Sequence, residues 1–216
     1  MIKRIQKLFG FKTKETEETL SVVDVINNLF DDLDGDVIWL QIGSDIVPFG
    51  DYLCKDIIAN LRDEIKYECG FILPPIHVTD NTSYQENEFT ITIRGNLIEN
   101  GYLIPTKTGI QDELYETLKT AVYNNINIIF TNEIAEKYIE TVQRKNGWLI
   151  WNLTNQLSVI DIKTILIDII NSGKSINNIT YIFEQIGNQI LTNGEYRDCL
   201  KKYNPHKIAN QIARCL

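Results

Sequence analysis

Residues that carry chemistry are scarce in this chain. Among 216 residues only His77 and His206 are histidine, and the four cysteines stand at positions 54, 69, 199 and 215. No two cysteines have C-x-x-C spacing, so the ligand pattern of a cysteine–histidine zinc site is absent. Four unpatterned cysteines in a chain of this length predict reduced and mostly buried thiols rather than a disulfide framework. Basic charge is also in deficit: the formal net charge is −8, which excludes nucleic acid as the main partner because phosphate contacts need a basic face. No apolar run approaches the ~20 residues that cross a bilayer. There is no G-x-S-x-G, and "GSDIVPFG" offers only Gly43 and Gly50 with Pro48 between them, not a phosphate-cradling turn. "DDLDGD" gathers Asp31, Asp32, Asp34 and Asp36, but no glutamate stands at the twelfth position of a calcium loop, so it reads as an acidic turn. No catalytic residue, metal site or cofactor can be named. The expectation is a protein that binds and does not catalyse.

What remains is patterning. With 44% hydrophobic residues and five prolines, the composition is that of a soluble globular protein of one large or two small domains. The N-terminus, "MIKRIQKLFGFKTK", is basic and amphipathic and lacks the continuous apolar core and cleavage site of a signal peptide. It is open to two readings: a weak contact of residues 1–14 with an anionic membrane surface, or a frayed or partner-docked arm. After it, "KETEETLSVVDVINNLF" changes sign and carries Val22, Val25, Ile26, Leu29 and Phe30 at helical spacing.

"VIWLQIG" (37–43) is apolar at nearly every position and predicts a central strand. From Asp51 the stripe Tyr52, Leu53, Ile57, Ile58, Leu61, Ile65, Cys69 predicts an amphipathic helix stopped by Gly70. Pro74-Pro75 confines "PIHVT" to pairing on one side. "EFTITIRG" alternates, with Phe89, Ile91 and Ile93 on one face, and Asn100-Gly101 is expected to turn a hairpin into a short strand "YLIP". From Gly109 the period becomes 3.6, with helices marked by Leu114, Leu118, Ala121 and Val122, by a cap at Thr131 or Asn132, by Ser158 and Gly173, and by Pro205 at a helix entrance. The fold class is therefore α+β: a basic arm and amphipathic helix over 1–35, a small mixed α/β subdomain over 36–108, and an all-helical subdomain over 109–216.

Candidate partner-binding residues are Asp80, Asn81 and Arg94. The first two suit an Asx turn. Arg94 either pairs with Asp80 across the sheet or meets a partner. Trp148 and Trp151 in "GWLIW" are assigned to core packing where helices turn onto each other, with an exposed binding anchor as the alternative.

"LQIGSDIVP", "LRDEIKYECGFILPPIHVTDN" and "NEFTITIRG" together resemble the cytosolic domain of the FHIPEP family, the large export-gate proteins of flagellar and injectisome type III secretion. The matching features run in order: Ile42-Gly43, Arg62, Gly70-Phe71, Pro74-Pro75, Asp80-Asn81 and Arg94-Gly95. The likeness extends to the helical half and the closing "IANQIARCL", more weakly after residue 110. It implies a non-catalytic, cytoplasmic protein-binding adaptor in protein export, at most peripheral to the inner face of the membrane. Export chaperones or secretion components would be its partners, and a helical layer that packs subunits into a ring would make it a homo-oligomer. The family's membrane half and last subdomain have no counterpart in this sequence, and "YLIPTKTG" replaces its inserted subdomain. That subdomain borders the family's chaperone-docking cleft, so the resemblance leaves open whether that cleft is kept. The competing reading is a structural or regulatory protein that keeps the fold without a secretion role. Because residues 1–14 precede any core pattern, deleting them is expected to leave the melting temperature nearly unchanged; a loss of several kcal/mol of stability would show that the arm packs into the core.

Overall fold

The apolar run becomes β1 (Ile38–Ile42), in which Ile38, Leu40 and Ile42 are buried while Trp39 and Gln41 are half-buried on the other face. The computed structural model describes residues 37–103, 109–192 and 203–216, with the backbone alone for 109–112 and for 191 and 192. The basic arm, the acidic stretch and turn that follow it, and Cys199 lie outside the described residues. Leu33–Leu216 form one compact unit.

After β1 a short 3-10 turn (Val47–Phe49) leads into a helix that is continuous over 50–69, here α1. It is regular over Gly50–Tyr52 and Ala59–Cys69, and widened to a π-helical turn over Leu53–Ile58. Its buried stripe is Leu53, Ile57, Ile58, Leu61, Ile65 and Cys69, as the spacing predicts. The chain then returns as β2 (Ile76–Asp80), which pairs parallel with β1 alone. A parallel neighbour requires a crossover, and α1 is that crossover. The double proline precedes the strand and β2 stays at the sheet edge, where a missing donor is tolerated. β3 (Glu88–Ile93) pairs antiparallel with β1, and β4 (Asn96–Tyr102) with β3, giving the order β2-β1-β3-β4.

The hairpin turn lies elsewhere than the sequence pattern placed it. Ile93 pairs with Asn96, so the two-residue turn is Arg94-Gly95, with φ of 49° and 76°. Positive φ at both central positions is the turn whose twist matches a hairpin. Asn100 and Gly101 lie inside β4, opposite Thr90 and Phe89. Gly101 packs closely there: a Cβ would stand 3.0 Å from Phe89 Cε1, so any side chain would have to displace the ring by a few tenths of an ångström.

The remaining described elements are helices: α2 (Gly109–Asn124), α3 (Ile126–Ile129), α4 (Asn132–Lys145), α5 (Gly147–Thr154), α6 (Val159–Asn171), α7 (Ile179–Thr192) and α8 (Pro205–Ala213). Caps fall where the sequence has cap residues. Thr131 accepts from the Ile134 amide, Ser158 and Asp161 form a reciprocal capping box, and Asn204 caps α8 with Pro205 at its entrance. The prediction of buried thiols holds for Cys69, whose Sγ lies 3.0 Å from the Ile65 carbonyl; Cys54 and Cys215 are exposed.

Strand-bearing and helical parts meet at Gly70. This residue ends α1 at φ 71°, and a Cβ there would lie 2.4 Å from the Asn177 backbone nitrogen. The Ile176 amide donates to the Cys69 carbonyl at 2.8 Å, and the Asn177 side chain donates to the Tyr67 carbonyl at 3.1 Å. From α4, the Tyr138 hydroxyl donates to the Gly70 carbonyl at 2.9 Å and accepts from the Ile72 amide at 3.2 Å. Phe71 stacks on Phe130, and Phe130 on Tyr138. A second seam joins α1 to α2: Tyr115 and Lys119 both donate to the Glu64 carboxylate, and Tyr123 donates to Glu68.

Gly70→Ala meets both the left-handed backbone and the Asn177 chain, and a loss of at least about 2 kcal/mol is expected in denaturant melts. Tyr138→Phe strands the Gly70 carbonyl and Ile72 amide and should cost about 1–3 kcal/mol. Burial raises the Tyr138 phenol well above the usual tyrosine range. The native state therefore holds this proton where the unfolded chain releases it. The resulting stability is present below about pH 10 and is lost as pH rises beyond it. Alkaline melts of Tyr138→Phe should decline less steeply than those of the unsubstituted chain.

Candidate partner-binding surface

Asp80 and Asn81 lie where β2 leaves the sheet. Asp80 is opposite Ile42, and the Asn81 amide donates to the Ile42 carbonyl at 2.9 Å. Asn81 alone closes the expected Asx turn, its Oδ1 accepting from the Ser83 amide at 3.1 Å and the Ser83 hydroxyl at 2.5 Å. Asp80 is exposed and takes no part in that turn. The following loop is tied down by the Tyr84 hydroxyl, 3.0 Å from Gln41 Oε1 and 2.9 Å from Thr90 Oγ1. That contact accounts for the burial of Thr90 on the face expected to be open.

Arg94 lies at the opposite end of the sheet. Its amide donates to Val37, just before β1 begins, and Ile93 pairs with Ile38. The four residue steps from Ile38 to Ile42 separate the two sites by about 13 Å at ~3.3 Å per step. The Asp80–Arg94 pair considered from sequence is therefore not formed. Arg94 instead faces the helical part. The Glu133 carboxyl is held below the usual carboxylate range by the Thr131 hydroxyl, its own amide, and then the charges of Arg94 and Lys163. Burial, followed by Arg94, lowers the Lys163 ammonium. The three sequence-derived candidates thus occupy two corners and do not form one site.

Among the described residues of the helical part, the most exposed large aromatic side chains are the tryptophans assigned to the core. α5 begins at Gly147, with the Asn146 side chain accepting from the Leu149 amide. Leu149, Ile150 and Leu153 are buried, whereas Trp148 is 71% exposed and Trp151 64%. Successive residues turn by about 100°, which gathers the three aliphatic residues within one arc and puts both tryptophans on the opposite side. α7 fixes this orientation: Gly187 lies flush against α5, where a Cβ would be 3.2 Å from Leu149 Cδ1. A short helix with apolar residues all round can bury only one face, and the aliphatic face is the one that docks. From Asn146 to Ile160 the chain carries no charge, and Ile160 is itself 60% exposed. Uncharged surface with tryptophan at its centre has the composition of interface cores, where truncations cost the most affinity. The signal was in the sequence, in the wheel positions of "GWLIW".

The FHIPEP family model matches residues 4–114, just over half of the chain. The chain belongs to the FHIPEP family. The flagellar biosynthesis protein FlhA of Bacillus subtilis is 25% identical to it, over 82% of this chain and 33% of FlhA. Among solved structures, CdsV in the Chlamydia pneumoniae CdsV and CdsO complex superposes with a TM-score of 0.66 at 13% identity, over 82% of this chain and 64% of that one. The nonameric EscV cytosolic domain from the type III secretion system gives 0.65 at 15% identity, over 83% and 63%. The chain thus spans one third of the curated relative and under two thirds of these two structures. The α+β architecture is that of these export-gate domains.

Trp148→Ala and Trp151→Ala remove side chains that the fold does not bury, and each is expected to change stability by under about 0.5 kcal/mol. Leu149→Ala, on the docked face, should cost about 2–5 kcal/mol. Urea melts of the three variants would separate surface from core, and a large loss for either tryptophan would return it to the core.

Proposed function

We propose that this chain is a non-catalytic protein-binding domain of the export-gate type, an adaptor in type III secretion-like protein export that associates with copies of itself. Family membership supports the setting, and the exposed tryptophan pair on α5 carries the binding role. The nonameric EscV domain supports self-association, and the CdsV–CdsO complex supports secretion components as partners. Export chaperones remain candidate partners. Exposed Asp80 and Arg94 and half-buried Asn81 act as rim contacts at the two ends of the sheet. Residues 1–14 add a weak contact with an anionic membrane surface. A cytoplasmic location fits this reading; among the described residues no helix is long and apolar enough to cross a membrane.

Sedimentation velocity of the full chain over a wide concentration range provides the test. Concentration-dependent assembly should appear, and truncating both tryptophans to alanine should weaken it about tenfold or more while the melting temperature holds. A chain that stays monomeric throughout and does not bind purified export components would instead favour a structural or regulatory protein that has kept only the fold.

A further inference from the structure

β4 is the last strand of the sheet and has no neighbour on its outer side among the described residues. An antiparallel strand paired on one side directs alternate amides and carbonyls outward, which makes it a template for another strand. Here that edge opens into a groove of about 690 Å³, walled by β4 on one side and by α2 on the other. The strand wall runs from Leu97 to Tyr102 and the helix wall from Glu113 to Asn125. Six residues of strand cover about 20 Å and the helical stretch about 18 Å, so the two walls match in length. Gly101 leaves the floor open over the Phe89 ring.

The charges are one-sided. Glu99 projects from β4, and Glu113 and Glu116 from α2; no lysine or arginine is among the described residues lining the groove. Lys119 feels the charge of Glu116, but its ammonium is bound to Glu64 at 2.6 Å. Among the described residues no group of acidic, histidine or cysteine side chains is arranged to hold a metal ion. Leu97 and Tyr102 are 60% and 53% exposed at the two ends of the strand. We infer that this groove takes an extended protein segment carrying lysine or arginine at alternate positions, added to β4 as a fifth strand. Strand addition draws its affinity from main-chain hydrogen bonds and its selectivity from alternate side chains. Lysines on one side of the guest strand meet the three carboxylates, and apolar residues at its ends meet Leu97 and Tyr102. This surface is separate from the tryptophan face of α5.

The probe is a synthetic decapeptide alternating lysine and valine, titrated into the full chain by fluorescence anisotropy, with hydrogen exchange followed on the complex. Binding is expected, with slower exchange confined to the amides of 97–102. Charge reversal of Glu99, Glu113 and Glu116 to lysine should weaken it about tenfold or more, whereas Glu184→Lys on α7 should change it little. A peptide N-methylated at alternate residues keeps its charge but cannot pair as a strand, and should not bind. Binding that survives N-methylation, or that responds equally to Glu184→Lys, would reduce the effect to general attraction by an acidic protein and overturn the proposal; so would absence of binding with native melting behaviour. Self-association through the tryptophans is read independently by sedimentation, so either reading can fail alone.

Discussion

The contact between the Tyr138 hydroxyl and the Gly70 carbonyl holds the two kinds of secondary structure together. An α-helix ends with carbonyls that lack intrahelical partners. At the end of α1 these are taken up by groups from the helical part: Tyr138 on Gly70, Ile176 on Cys69 and the Asn177 side chain on Tyr67. Only glycine permits this. Its positive φ turns the chain sharply, and the absence of Cβ lets the Asn177 backbone come within reach. The Phe71–Phe130–Tyr138 stack then keeps water from the polar contacts, which raises the cost of breaking any one of them.

A second close approach stabilises the strand-bearing part. A Cβ on Gly43 would fall 2.1 Å from the Gln85 carbonyl oxygen, because the loop after β2 lies directly against the end of β1. Gly43 and Asp45 donate to Glu88 and Glu86, and Tyr84 reaches over the sheet to Gln41 and Thr90. Ile-Gly and Gly-Phe, two of the family's recurring features, are thus the places where one stretch of backbone meets another without a side chain between. Their role is packing, and a partner does not need to touch them for them to matter.

Periodicity and capping made most of the fold legible in the sequence. The buried stripe of α1, the central position of β1, the edge position of β2, the caps at Thr131 and Ser158 and the helix entrance at Pro205 all follow from local rules. The failures share a cause: each required knowing which of two acceptable local states the tertiary structure would select. Asn100-Gly101 has good turn chemistry, but pairing with Phe89 and Thr90 keeps it extended, and Arg94, a weaker candidate for positive φ, forms the turn. Asp80 and Arg94 stand near each other in motif order, yet the register of β1 separates them by the length of the strand. "GWLIW" is apolar on both sides, and a preference for burying the largest residues points to the wrong one. The aliphatic face is the one that fits against Gly187, through Leu149 and Leu153.

Those failures lie at the surface, which explains why the binding residues were less legible than the core. A core residue is specified by its own hydrophobicity and spacing, whereas an interface residue is specified by what its neighbours leave uncovered. The tryptophan face on α5 and the groove between β4 and α2 belong to the same compact unit, and both follow the Gly70 junction in the chain. That junction is made of hydrogen bonds to backbone carbonyls, a left-handed glycine and stacked rings. Coupling between distant sites needs an element with two discrete states that both sites bias. The junction is seen in a single arrangement, so occupancy of one surface is expected to leave the intrinsic affinity of the other unchanged.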